Sequence, residues 1–131
     1  MAKKLKKKII LIIEDEADVR NFAKRVLELE GYHVFGAEDG SEGLKIARER
    51  HPDLVLLDLR LPGLDGWSVL NQMKSEPELS AIPVIVLTAS VGVSQQNRAL
   101  SEGAAGYAVK PLSAATLRDT VTRILPRERN R

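Results

Sequence analysis

At 131 residues, 44% of them hydrophobic and 29% charged, the chain has the size of one domain with a full core of its own. It holds no cysteine, which excludes a disulfide frame and any thiolate metal site. The formal charge of +2 belongs to the ends: between Ile9 and Pro126 there are 12 basic and 17 acidic residues, so the body is acidic and offers no broad surface for direct nucleic-acid binding.

The basic ends, residues 1–7 and 126–131, read as solvated tails around a domain spanning 8–125. The longest apolar run, Ile9 to Ile13, is too short to span a membrane. No signal-peptide core follows the basic start. A cytoplasmic protein without membrane insertion is expected.

Strand and helix alternate five times. Ile9 to Ile13 is a continuous apolar run and reads as a buried strand. Val19, Phe22, Ala23, Val26 and Leu27 then recur at helical spacing, with Arg20, Lys24, Arg25 and Glu28 on the opposite, solvent face. Gly31 suits the left-handed residue that ends this helix. A mixed strand follows over His33 to Ala37, and a helix over about Ser41 to Arg50. Leu54 to Leu57 is a third, wholly apolar strand. It runs into Asp58 and a loop shaped by Pro62-Gly63 and Asp65-Gly66. A helix from Trp67 to Lys74 buries Trp67. The fourth strand is Val84 to Leu87, the fourth helix Gly92 to Glu102, and the mixed fifth strand Gly106 to Val109. The last helix, about Ser113 to Leu125, turns Ala114, Leu117, Val121 and Ile124 inward and is stopped by Pro126.

Such alternation predicts an α/β fold: a doubly wound, five-stranded parallel sheet with helices on both faces. The three continuous apolar strands belong in the middle and the two mixed ones at the edges. That is the flavodoxin-like order 2-1-3-4-5, in which ligands bind beyond the carboxyl ends of the strands where the order reverses.

Chemistry collects at those ends. The first strand runs into Glu14-Asp15, the third into Asp58, the fourth into Thr88-Ala89 and the fifth into Lys110-Pro111. A carboxylate at the mouth of a buried strand is expensive unless a charge meets it. Three acids and one lysine suit a divalent cation and a phosphoryl group. Read singly, Glu14-Asp15 is a helix N-terminal acidic cluster, Thr88 a helix cap and Tyr107 an edge-strand aromatic.

Taken together, Glu14-Asp15, Asp58, Leu87-Thr88-Ala89, Tyr107 and Lys110-Pro111 agree in type, order and spacing with one family. From about Lys8 to Leu125 the chain resembles a single-domain response-regulator receiver of two-component signalling. The resemblance implies that Asp58 is the nucleophile and the phosphorylated residue, and that Asp15, Asp58 and the Arg60 carbonyl ligate Mg2+, with Glu14 acting through water. It implies that Thr88, Ala89 and Lys110 bind the phosphoryl oxygens. Thr88 and Tyr107 would form the switch, and a cis Lys110–Pro111 peptide would aim the lysine inward. Glu14 stands where many receivers have Asp. The resemblance also implies that the positions of Arg60 and Ser90 tune loss of the phosphoryl group, as they do in that family.

The expected protein is a stand-alone receiver that is no enzyme beyond its own phosphorylation and dephosphorylation. The implied partners are a sensor histidine kinase or histidine phosphotransfer protein and a downstream protein. Its contacts, and those of a phosphorylation-dependent homodimer, are expected on the surface made by the fourth helix, the fifth strand and the fifth helix. A docking module indifferent to phosphorylation is disfavoured by the intact acids, Thr88 and Lys110. A Mg2+-dependent phosphohydrolase would need a general acid and a cap that the sequence does not display. A flavodoxin would need a phosphate cradle where this chain has carboxylates.

Overall fold

The computed structural model describes residues 7–61, 63–89 and 92–126. Pro62, Ser90 and all but Lys7 and Pro126 of the two tails lie outside them, so the expectations placed there are left aside.

The elements follow one another as β1 (Ile9–Ile13), α1 (Ala17–Leu29), β2 (His33–Ala37), α2 (Gly40–Arg50), β3 (Leu54–Asp58), α3 (Gly66–Ser75), β4 (Val84–Thr88), α4 (Val93–Ser101), β5 (Gly106–Val109) and α5 (Ala114–Ile124). The strands form one parallel sheet in the order β2-β1-β3-β4-β5. The fold class and strand order expected from the alternation are therefore observed. Strands β3 and β4 each run one residue further than their apolar runs and end on Asp58 and Thr88. The ladder sets these ends: the Leu59 N–H still donates to the Leu87 carbonyl at 3.1 Å.

Strand side chains alternate between two cores. Leu11, Ile13, Val55, Leu57, Val84 and Val86 pack against α2, α3 and α4 through Leu44, Ala47, Val69, Leu70, Met73 and Ala99. Ile10, Ile12, Leu54, Leu56, Ile85 and Leu87 pack against α1 and α5 through Ala23, Val26, Leu27, Leu117 and Val121. Burying a Val or Leu side chain of this kind contributes about 1.5–3 kcal/mol before the entropy of ordering it. Across the α1–α5 core, the buried Tyr32 hydroxyl donates to the Leu125 carbonyl at 2.5 Å, tying the chain after α1 to the end of α5.

Two expectations about α1 need correction. Phe22 is 39% exposed, not inward. The buried stripe of this helix is narrow, and Ala23, Val26 and Leu27 fill it. Arg20, assigned to the solvent face, folds back so that its side chain is only 17% exposed. Gly31 ends the helix as expected, with φ +99°, a left-handed conformation that costs a glycine nothing. Trp67 is half-buried, its ring covered by the Arg98 guanidinium at 3.9 Å from the centroid.

Candidate functional site

Register brings the predicted site residues together. Ile13 lies opposite Leu57, so Glu14 and Asp58, the next residue of each strand, emerge level with one another. Thr88 lies opposite Val109, so Lys110 follows directly beyond them. The Lys110 N–H donates to the Thr88 carbonyl at 2.8 Å. The Lys110–Pro111 peptide is cis, as expected.

Lys110 Nζ stands 2.7 Å from Glu14 Oε1 and 3.2 Å from Asp58 Oδ2. It also lies 3.9 Å from Glu16 Oε1, whose side chain is largely in solvent. Asp58 Oδ1 accepts the Arg60 N–H at 3.0 Å, so both oxygens of this carboxylate are engaged. Glu14 Oε2 accepts the Glu16 N–H at 3.1 Å. Glu14 is wholly buried, Asp58 and Thr88 are nearly so, and Asp15 and Ala89 are exposed. Tyr107 is 37% exposed and stands on the outer part of edge strand β5.

The electrostatics follow from burial. Desolvation pushes the Glu14 carboxyl up to about 7, and the Asp58 charge adds to that rise, while the hydrogen bonds from Lys110 and Glu16 act against it. For Lys110, burial works against the ammonium. Its hydrogen bond to Glu14 and the charge of Asp58 outweigh burial and hold its pKa above the usual lysine value.

Ligand oxygens of Glu14, Asp15 and Asp58 all come within 4.8 Å of one another. One ammonium faces three acids, and the buried one is still costly to ionise. An all-oxygen donor set that is short of positive charge, with one ligand open to water, fits a hard divalent cation that keeps part of its hydration. Beside Lys110, an open and mainly apolar recess of about 520 Å3 is lined by Val19 and Phe22 of α1 together with Ala89, Pro111 and Leu112.

Two residues that the periodicity did not single out belong to this region. Glu16 approaches Lys110 from the solvent side. Arg20 donates from Nη1 to the Glu14 carbonyl at 2.8 Å and to the Asp15 carbonyl at 3.5 Å. A signal for Arg20 was present: a cation in the first turns of a helix opposes the helix dipole, so its place there needs another reason.

The family model described as response regulator receiver domain matches residues 10–122. The chain is 41% identical to "Probable transcriptional regulator ycf27" of Porphyridium aerugineum over 123 residues, 94% of this chain and 50% of that protein. It thus spans about half the length of the ycf27 relatives. It is 36% identical to "Sporulation initiation phosphotransferase F" of Bacillus subtilis over 121 residues, 92% of this chain and 96% of that one. Among solved structures, the chemotaxis response regulator CheY4 of Vibrio cholerae superposes with a TM-score of 0.87 at 26% identity, covering 92% of this chain and all of that one. With the fold, the strand-end acids and the lysine all agreeing with that match, the chain belongs to the response regulator receiver domain family.

Proposed function

We propose that this chain accepts a phosphoryl group on Asp58 from a sensor histidine kinase or a histidine phosphotransfer protein, in a Mg2+-dependent reaction, and signals to a partner protein through Thr88 and Tyr107. The observation that carries this reading is the Lys110 amine held between Glu14 and Asp58 at the carboxyl ends of three strands.

Glu14, Asp15, Asp58 and the Arg60 carbonyl would hold the ion. When bound, Mg2+ supplies the positive charge that the three acids lack and that the transferring phosphoryl group requires. One Asp58 oxygen forms a bond to phosphorus as the bond from phosphorus to the donor's imidazole nitrogen breaks. The imidazole leaves with that electron pair, and the product is an acyl phosphate. The transition state spreads charge over the equatorial oxygens, so the protein contributes position and electrostatics. Lys110 neutralises one oxygen, and the Thr88 hydroxyl with the Ala89 N–H meets another. The small Ala89 side chain leaves room for the phosphoryl group. The apolar recess between Phe22 and Leu112 is the surface on which a histidine-bearing donor would rest.

Incubation with Mg2+ and a small phosphodonor tests the reading. One phosphoryl group, labile to base and hydroxylamine, is expected, and none on Asp58→Asn. Equal labelling of that variant, or labelling that survives chelation of the metal, would overturn it.

A further inference from the structure

The loop between β1 and α1 presents two acids to the site, and their backbone needs something to hold it. The Glu14 N–H is bound by the Ala37 carbonyl at 3.0 Å. The two carbonyls that follow, of Glu14 and Asp15, are both taken by one guanidinium, that of Arg20. Arg20 itself is set by the first turn of α1, where its N–H donates to the Glu16 carbonyl at 2.9 Å. The arm lies along Gly36 of β2, where a Cβ would come within 3.0 Å of Arg20 Cδ and 3.2 Å of Cγ. Its carboxylate neighbour is Glu38, at 3.8 Å and 73% exposed, a pair that solvent screens to little worth. One nitrogen of this largely buried guanidinium, Nη1, therefore serves the backbone of the acid pair, closely at Glu14 and at longer range at Asp15, while Nη2 faces Glu38.

We propose that Arg20 is a positioning residue for the cation site: it clamps the Glu14-Asp15 backbone so that both carboxylates stay within ligand reach of Asp58, and Gly36 leaves the arm its close seat on β2. The inference rests on the Mg2+ site of the proposed function. Without the ion, clustered carboxylates repel one another, and a loop free to relax would spread them. Outer-shell groups of this kind commonly change metal affinity by about 10–100-fold. The sign separates positioning from charge. Removing a cation near an acidic site should, by Coulomb's law alone, tighten Mg2+ binding; loss of the clamp should weaken it.

Mg2+ titration by calorimetry tests the clamp, with urea unfolding measured in parallel. Arg20→Met should lose roughly tenfold in Mg2+ affinity, at the low end of outer-shell effects. Arg20→Lys keeps the charge but lacks the planar guanidinium that sets Nη1 between the two carbonyls, and should recover less than half of that loss on a logarithmic scale. Phosphorylation of Arg20→Met should return to the parent rate at saturating Mg2+. Gly36→Val places a β-branched residue on an edge strand that suits it, so it should fold and show the same loss of Mg2+ affinity by displacing the arm. This variant carries the test if Arg20→Met does not fold. Parent-like or tighter Mg2+ binding in Arg20→Met, or in Gly36→Val, overturns the clamp. Mg2+ binding that is unchanged in Asp15→Asn and Asp58→Asn overturns the site itself.

Discussion

Gly66 packs directly on the backbone of Asp58: a Cβ at Gly66 would come within 2.5 Å of the Asp58 carbonyl oxygen and 2.4 Å of Leu59 Cα. The Gly66 N–H donates to the Leu59 carbonyl at 3.2 Å. The first turn of α3, capped by Asp65, which accepts the Ser68 N–H at 3.0 Å, thus rests on the strand end that carries the proposed nucleophile.

Gly66→Ala should accordingly destabilise the protein by about 1–3 kcal/mol, the usual cost of overpacking, and slow phosphorylation by moving Asp58. Gly43→Ala is the control. Its Cβ would meet the Ile13 side-chain end at 2.4 Å, which can turn aside where backbone cannot. Urea unfolding and the labelling rate together check this. A Gly43→Ala cost equal to or above that of Gly66→Ala would refute the distinction.

Glu14 predicts a pH dependence. Its carboxyl stands near 7 in the folded chain against an ordinary 4.5, so between those values the folded state keeps a proton that the unfolded state has lost. Stability from this group falls as pH rises through that window and is level above it. In chelator, the urea midpoint of the parent should drop between pH 5 and pH 8 relative to Glu14→Gln, which has no such proton. Mg2+ should shrink the difference. A parent midpoint that rises relative to the variant would refute the assignment.

In the proposed reaction Lys110 would be both catalyst and rival of the ion. Lys110→Ala removes a positive charge 3.2 Å from Asp58 Oδ2. Mg2+ should bind more tightly to this variant, while phosphorylation at saturating Mg2+ slows by roughly 10²–10³-fold, the loss typical of one transition-state donor. Calorimetry and labelling kinetics read the two effects separately. Weaker Mg2+ binding would mean that the amine orders the acids rather than competing for them.

Output should pass through the face made by α4, β5 and α5. Exposed Val93, Leu100 and Tyr107 lie on this side of the chain. Phosphorylation should draw the Thr88 hydroxyl toward the new oxygens and open space for Tyr107, a discrete repacking. A beryllofluoride mimic should then shift the amides of Gln95, Arg98, Glu102, Tyr107 and Arg118, and strengthen partner or self-association by about 1–3 kcal/mol. Shifts confined to Glu14 and Asp58, with Thr88→Ala leaving association unchanged, would refute this switch.

The sheet was legible because burial leaves a direct trace: β1, β3 and β4 are almost wholly buried and read as unbroken apolar runs. Glu14, Asp58 and Lys110 were legible for the complementary reason, as charges placed where such runs end. Hydrophobic patterning stops at Leu57 and Leu87, whereas hydrogen bonding carries the strands on to Asp58 and Thr88. Periodicity reports where a helix points each Cα, not where a long side chain goes. It therefore set Arg20 facing water although its guanidinium turns back onto Glu14, and it counted Phe22 into a stripe too narrow to take it.

The order in which the site's parts leave the ribosome matters as well. Asp58 precedes Lys110 by 52 residues, and Glu14 comes earlier still. A nascent chain that has exposed β1 and β3 carries the clustered acids before their ammonium exists. Like charges at their ends then oppose the pairing of those strands until β5 arrives, so on the proposed reading of Asp58 an unfinished chain would carry its acceptor without the ammonium that arms it, and phosphorylation would wait on the last strand.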